Sequence, residues 1–570
     1  MSGELNNLTY NKRRLVLLLL FIVVVALLMW RVVYLQVFNK EFLQDQGTAR
    51  YLRTVSIPAH RGVIMDRHGD ALAISTPVQS VWVNPKKLVG QGQALKKLAK
   101  LLSLDLESLE QMIASRMNRE FVYLKRHVNP DLAKKVLALE LEGVFSQREY
   151  RRYYPAGEVV SHVIGFTNID DKGQEGIELA YEDWLKGTPG KKRVIKDRLG
   201  RVIEDVENIQ SSNAGKDLHL SIDRRIQYLA YRELKTAIKL NKARSGSAVM
   251  IDVKSGEVLA VVNQPSYNPN NRVKVRGSQY RNRAVTDVFE PGSTIKPFTI
   301  ATALESKKYY PSTRINTSPG TMKVGRNTIR DHKNYGDIDV TRVITKSSNV
   351  GATKIALSLK AEKFWSMFSR LGFGRVTASG FPGESAGLMS HYSRWHEIER
   401  ATLAFGYGLS VTPLQLAHAY SILAADGDSR PVSFIKTDHV VQGERVLPAK
   451  VARQVRKMMK TVVSKEGTGL AASVYGYQVA GKTGTIHKST AGGYANDRYI
   501  AVFAGMAPAS NPRLVLVVMI NDPSGEKYYG GQVAAPVFSK VMSGALRLMD
   551  ITPDDLPVMQ TQLQSGEGRS

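Results

Sequence analysis

The sequence predicts a multidomain chain of mixed α+β and α/β character behind a single N-terminal transmembrane helix. Three observations lead there. An unbroken apolar run, LVLLLLFIVVVALLMW, fills residues 15–30. Residues 38–215 mix strand-like alternation with helical spacing of Leu and Ala. From residue 216 onward, strand-like apolar pairs stand at both ends of a region whose middle is patterned as helix. The chain of 570 residues suits several domains at roughly 150 residues each. Its expected parts are a tail (1–14), a membrane helix (15–37), a first exterior domain (38–215), a second exterior domain (216–550) and a loose polar tail (551–570).

The membrane helix comes first. From residue 15 to residue 37 it would reach about 35 Å, enough to cross a bilayer core. Arg31 sits toward one end, where it can snorkel to headgroups, and Trp30 and Tyr34 suit the interface. Lys12, Arg13 and Arg14 precede the run, so residues 1–14 are expected on the cytoplasmic side and the rest outside. The competing reading is a cleaved signal peptide. That needs small residues at a cleavage site, and MWRVVY (29–34) offers none.

In the first exterior domain, segment 51–83 alternates apolar and polar residues around Gly62 and Gly69, which reads as strands and turns. Segments 92–116 and 130–140 have helical spacing. Residues 187–215, rich in Lys, Arg, Gly and Ser, read as a domain boundary. Beyond it, LHLSI (218–222) reads as a strand and RRIQYLAYRELKTAIKL (224–240) as an amphipathic helix. SAVMID (247–252) and VLAVVN (258–263) pair across Lys254-Ser-Gly-Glu257. YIAVFAGMAP (499–508) and RLVLVVMIND (513–522) pair across Ser510-Asn-Pro512. Strands at both ends of a helical middle indicate an α/β sandwich whose sheet uses both ends of the domain.

Composition removes several function classes. There is no cysteine, which excludes disulfides and thiolate metal sites. The 11 histidines are scattered and no His-Glu-x-x-His occurs, so no metal and no cofactor is expected. The formal charge of +28 favours anionic surroundings, but no nucleic-acid motif accompanies it.

Three short motifs carry chemistry: Ser293-Thr-Ile-Lys296, Ser347-Ser-Asn349 and Lys482-Thr-Gly-Thr485. Other Ser-x-x-Lys matches occur at Ser433/Lys436 and Ser524/Lys527, and other Ser-x-Asn matches at Ser211/Asn213 and Ser266/Asn268. Order, separation and flanks select the trio. Ser293 follows Glu290-Pro-Gly292 and opens an apolar helix pattern, and Pro297 is tolerable only in a first turn. Ser293 is thus expected at a helix N-terminus, where backbone N–H groups favour negative charge. Lys296 shares its face. A serine hydroxyl needs a base, and a lysine buried near positive charge loses enough basicity to serve.

The turn at Ser347 lies between two helical patterns. Ser347 can relay a proton between Lys296 and a leaving amine, and Asn349 can hold Lys296 or a substrate amide. Read alone, this triplet is better explained as the cap of the next helix. Tyr475-Gly-Tyr-Gln-Val-Ala480 is expected to lead into Lys482-Thr483-Gly484-Thr485 as one strand, with Gly484 permitting close backbone approach. Such a strand can pair with an extended peptide, its Lys and Thr side chains gripping a carboxylate. Backbone N–H groups of Ser293 and Thr485 can form an oxyanion hole, each donor worth about 10²–10³ in rate. Read alone, it is an ordinary turn with a solvated lysine.

Together the three motifs resemble the active site of the serine penicillin-binding proteins and β-lactamases. Arg61-Gly-Val-Ile-Met-Asp-Arg67, Arg152-Tyr-Tyr-Pro-Ala-Gly157, His162–Asp170 and Gly173-Gln-Glu-Gly-Ile-Glu178 resemble the pedestal of class B members. Phe405-Gly-Tyr-Gly408, Val411-Thr-Pro-Leu-Gln415 and Tyr528-Tyr-Gly-Gly531 resemble the division-specific FtsI type. The resemblance implies an elongated, dimerisation-like pedestal and a transpeptidase domain with a central antiparallel sheet flanked by helices. It implies a peptidoglycan D,D-transpeptidase of the inner membrane that crosslinks stem peptides at the division septum, largely periplasmic, and a target of β-lactams. Nascent glycan derived from lipid II, an FtsW-type glycan polymerase, FtsQLB and FtsN are the partners it implies. It adds Tyr407, Tyr528 and Tyr529 to the substrate cleft; each is otherwise an ordinary packing aromatic.

Five alternatives share parts of this pattern. An elongation-type class B transpeptidase differs in cellular role. A β-lactamase or a D,D-carboxypeptidase uses the same acyl-serine step but passes the acyl group to water. Ser348 stands where a class A β-lactamase would show Asp, and the anchor and pedestal are foreign to secreted lactamases. A non-catalytic scaffold would not need intact motifs. A bifunctional enzyme with its own glycan polymerase would need more chain before residue 217.

Overall fold

The computed structural model describes residues 4–42, 52–88, 92–196, 202–439, 441–490 and 493–555. Helix α1 (Glu4–Val33) continues as a π-helical turn over Tyr34–Phe38. Within Asn11–Phe38 an 18-residue stretch reaches a mean hydropathy of 3.0 with no burial against protein, so its apolar side chains are left for another solvent. Most of the 551–570 tail lies outside the described residues.

The chain divides into two compact units, and each is discontinuous in sequence. The first takes in residues up to His60, Pro77–Arg151 and Gly187–Gly215. The strands Leu52–Ile57, Gly190–Lys196 and Val202–Gln210 form an antiparallel sheet in this unit. Residues 187–215, expected as a boundary, therefore contain a strand pair, and the Val and Ile residues among the charges supply its β preference. The helices Gly92–Leu102, Leu106–Ala114 and Pro130–Leu137 fall on the expected segments, their inward Leu, Ile and Val packing on Val81, Val83 and Val122.

The second unit comprises Arg61–Thr76, Arg152–Lys186 and Lys216 onward. Here the pedestal-like motifs meet. Arg61 Nε lies 2.8 Å and Arg152 Nε 2.6 Å from the two carboxylate oxygens of Glu178, with all three side chains buried. Buried charges persist when paired and hydrogen-bonded in this way.

The main sheet is antiparallel, built from β1 (Ser245–Asp252), β2 (Val258–Gln264), β3 (Ala480–Thr490), β4 (Gly493–Ala507) and β5 (Leu514–Asn521), in the order β2-β1-β5-β4-β3. Both expected hairpins are present, with Val249 opposite Val261 and Phe503 opposite Val518. The sheet is covered on both faces, so its strands read as apolar runs instead of alternating. Leu514, Leu516, Val518 and Ile520 of β5 pack with helices α2 (Arg224–Leu240) and α6 (Ala535–Leu548). Val515, Val517 and Met519 join the opposite core with α3 (Lys296–Glu305). Asp223 caps α2 by accepting from Arg225 N and Ile226 N.

Three local expectations change. LHLSI forms only a two-residue strand, Leu218–His219, parallel to Ile64–Met65; Leu220 then bridges to Ile435. The 475–479 lead is a tight turn closed by Tyr477 N on Val474 O, because Gly476 takes a φ of +80° that strand composition cannot reveal. The beginning of the expected loose tail is held: Asp554 accepts from Gln478 N at 2.7 Å and Ser510 Oγ at 2.6 Å.

Candidate active site

Ser293 lies in a 3₁₀ turn, Gly292–Ile295, that feeds directly into α3, with Lys296 as the first helical residue. The spacing of three residues brings Lys296 Nζ to 3.0 Å from Ser293 Oγ. Gly292 enables this turn: its φ is +53°, and a Cβ there would stand 2.4 Å from Ile486 Cγ1. Gly406 (φ +87°) packs onto the backbone of Gly292, and Gly292 N donates to Gly406 O at 3.1 Å. The Phe405-Gly-Tyr-Gly408 segment thus braces the Ser293 turn through Gly406.

Helix α4 (Val340–Lys346) ends at Ser347, which adopts a left-handed φ of 60°, and Ser348 caps α5 (Asn349–Leu357). A non-glycine residue in this region costs about 1 kcal/mol or more. The strain aims both oxygens of Ser347 at one ammonium: Lys296 Nζ donates to Ser347 O at 2.6 Å and to Ser347 Oγ at 3.1 Å. Asn349 Oδ1 accepts from the same nitrogen at 2.7 Å. Asp331, absent from the sequence-based set, fixes the turn. Its carboxylate accepts from Ser348 Oγ at 2.6 Å and from the N–H groups of Asn349 and Val350.

Lys482, Thr483, Gly484 and Thr485 lie on β3, the edge strand of the sheet. Lys482 Nζ donates to Ser347 Oγ at 3.0 Å and to Thr483 O at 3.1 Å. Gly484 is required by proximity, since a Cβ would meet Thr294 Cγ2 at 3.1 Å and Pro291 O at 3.2 Å. The three motifs therefore converge on one chain of contacts running Ser293–Lys296–Ser347–Lys482.

Both lysines are fully buried. Burial, and then the neighbouring charge of Lys482, hold Lys296 well below the ordinary lysine value, against the pull of the Asp331 carboxylate. Burial alone brings Lys482 down to about 7. Depressed basicity gives Lys296 the free amine needed to take a proton from Ser293 Oγ, while Lys482 stays near the balance between charged and neutral.

A cavity of 530 Å³ opens over this array. Ser293, Ser347, Thr483, Thr485 and Tyr529 line it, with His332 on one wall. Thr468, on a loop that carried no sequence signal, lines it too and shares a hydrogen bond of 2.6 Å with Thr483 Oγ1. Of the three tyrosines expected at the cleft, Tyr529 is there. Tyr407 is instead packed edge-on to Tyr494 at 5.3 Å, its hydroxyl near His487 N, and Tyr528 stacks between Tyr499 and Tyr529. Successive residues diverge here because Tyr528 and Tyr529 stack on each other at 4.4 Å, leaving one ring for the cavity wall. A larger cavity of 980 Å³ in the first unit contains none of the three motifs.

Comparison with known proteins identifies the family. Residues 246–543 match the penicillin binding protein transpeptidase domain, and residues 56–220 match the penicillin-binding protein dimerisation domain. The peptidoglycan D,D-transpeptidase FtsI of Escherichia coli K12 is 46% identical over 536 residues, 93% of this chain and 91% of that protein. The apo TP domain of Burkholderia pseudomallei penicillin-binding protein 3 is 43% identical, with a TM-score of 0.55 over 59% of this chain and 98% of that one. A peptidoglycan synthetase of Bifidobacterium adolescentis, 24% identical, shares the fold over 89% of this chain and 98% of its own, with a TM-score of 0.70. With both domain types present in order and an FtsI relative matched along nearly the whole length, the chain belongs to the penicillin-binding proteins, among the FtsI peptidoglycan D,D-transpeptidases.

Proposed function

We propose that this chain crosslinks peptidoglycan stem peptides through an acyl-serine intermediate, with Ser293 as nucleophile and Lys296 as base. The carrying observation is the 3.0 Å contact between Ser293 Oγ and the fully buried Lys296 amine. Ser293 Oγ attacks the carbonyl carbon of the penultimate D-Ala, and its proton passes to Lys296 Nζ. The C–N bond to the terminal D-Ala breaks, and the proton reaches the leaving amine through Ser347 Oγ, which touches both lysines. An amine of a neighbouring stem then attacks the ester, forming the crosslink and releasing Ser293. Thr483, Thr485 and Lys482 suit a terminal carboxylate, and the open edge of β3 suits an extended peptide. Ser293 and Thr485 both border the cavity, in place to offer backbone donors to the oxyanion.

The finer assignments belong to the same proposal. Residues 15–37 serve as anchor with 1–14 cytoplasmic, which the basic Lys12-Arg13-Arg14 supports. Residues 38–215 serve as pedestal, 216–550 as catalytic domain and 551–570 as tail. Septal work beside an FtsW-type polymerase, FtsQLB and FtsN rests on family resemblance. The test is intact-protein mass of the full chain in detergent after brief penicillin exposure, followed over hours, beside Ser293→Ala. A persistent adduct on the wild type alone is expected. No adduct, or one lost within seconds, would overturn the transpeptidase reading in favour of a scaffold or a β-lactamase.

A further inference from the structure

Beside Ser245 of β1, Asn521 of β5 and Lys488 of β3 lies a second polar cavity of 600 Å³, which none of Ser293, Lys296, Ser347 and Lys482 lines. Arg244, Arg276, Arg281, Arg283 and Lys488 line it, against the single carboxylate of Asp287. Asp287 is engaged by Arg281 Nε at 2.9 Å and lies 3.8 Å from Arg283 Nε. Asp522, beside Lys488, is taken by Arg498. The cations therefore outnumber the carboxylates that face them. Such an excess is costly to hold together unless something anionic comes to it.

The cavity is built, not a chance surface cluster. The Arg283 side chain is 12% exposed; its Nη2 donates to Ser278 O at 2.9 Å, while its Nη1 is buried without an acceptor among the described residues. A buried donor left unpaired is destabilising, and a bound oxyanion would relieve that cost. Lys488 is also largely buried; its Nζ donates to Asn521 Oδ1 at 3.1 Å and lies 3.9 Å from Asp522, a carboxylate it shares with Arg498. Both groups are held below their ordinary basicity, chiefly by burial, with Arg244 adding to it in each case. Three exposed or half-exposed arginines complete the rim, and guanidinium forks suit carboxylate and phosphate oxygens.

Position supplies the rest. Lys488 lies on β3, the strand that carries Lys482, about 20 Å further along at ~3.3 Å per residue. We propose that this cavity is an oxyanion subsite of the enzyme, taking a carboxylate or phosphate carried by the cell-wall substrate while the reacting peptide lies at Ser293. The anion site stands on its own geometry; its assignment to substrate rests on the transpeptidase reading.

The test uses the full chain in non-ionic detergent, with Ser293 first blocked by penicillin so that the catalytic cavity is occupied. Calorimetric titration with inorganic pyrophosphate and, separately, with a soluble stem pentapeptide reads the subsite directly. Saturable binding of one stoichiometric equivalent of either probe is expected, weakened about tenfold or more in Arg281→Gln/Lys488→Gln. That variant should retain wild-type acylation by penicillin, which confirms its fold. Binding of pyrophosphate alone identifies a phosphate-bearing group, and binding of the pentapeptide alone identifies carboxylates. No saturable binding of either probe, or binding unchanged in the variant, overturns the proposal. Anion binding in a protein that penicillin fails to acylate would leave the subsite standing and remove the transpeptidase reading.

Discussion

Lys296 and Lys482 share one hydroxyl: Ser347 Oγ lies 3.1 Å from the first amine and 3.0 Å from the second. Two ammonium groups cannot both stay charged in a dry site around a single oxygen without large cost. This suits the proposed division of work, one amine free to accept a proton and the other able to carry charge toward a carboxylate.

The first prediction concerns the base. Lys296→Ala should lower the rate of penicillin acylation by about 10²–10⁴, the range for loss of a general base. The variant should keep its thermal midpoint, because deleting a buried amine also removes a desolvation cost. Mass spectrometry of acylation and a melting curve check both halves. Labelling at the wild-type rate would remove Lys296 from its role.

A second prediction is the alkaline limb of the acylation profile. The value of Lys482 is lowered to about 7, so its charge is present below that pH and lost above it. The acylation constant should fall as pH rises through about 7 if the charge holds the substrate carboxylate. Lys482→Arg keeps the charge at all these values and should flatten the limb. A limb identical in the variant would assign it to another group.

The third concerns stability. Because folding lowers the Lys482 value from 10.5 to about 7, the unfolded chain binds more protons between those limits. Stability should therefore rise with pH across that window. Lys482→Met should raise the thermal midpoint at pH 7, by about 1–4 kcal/mol of stability, and reduce the slope between pH 7 and 10.5. A lower midpoint for the variant would show that its amine contacts outweigh its burial.

The fourth concerns Asp331, which sets the turn without touching substrate. Asp331→Ala leaves the N–H groups of Asn349 and Val350 and the Ser348 hydroxyl without their acceptor. A loss of about 1–2 kcal/mol in stability is expected, as for a lost helix cap. Asp331 also supports protonation of Lys296, so its removal should move the acidic limb of acylation to lower pH. A simple structural role would lower stability and leave that limb in place.

Much of the architecture was legible in the sequence because it depends on local pattern. The amphipathic spacing of 224–240 and the paired runs 247–263 and 499–522 each state their own burial, and the apolar run at 15–30 states its need for an apolar solvent. Ser293 and Lys296 were legible because three residues of helix bring them together whatever surrounds them. The lead at 475–479 misled because its composition suits a strand while one glycine dihedral makes a turn. Asp331 and Thr468 were silent, since a carboxylate capping a distant helix and a threonine facing another strand are ordinary residues until the chain closes.

The sequence by itself pointed to the groups proposed for the chemistry and to their order: a serine, two lysines, a short turn and a strand with a glycine in it. Tertiary structure alone decided that Ser347 would stand between two amines contributed from remote segments, that both would be dry, and that β3 would be an edge. The physical reason is that basicity and strand pairing depend on surroundings. A lysine acquires its proton affinity from the solvent it loses and the charges it meets, and a strand becomes an edge only when nothing else in the fold takes its open side.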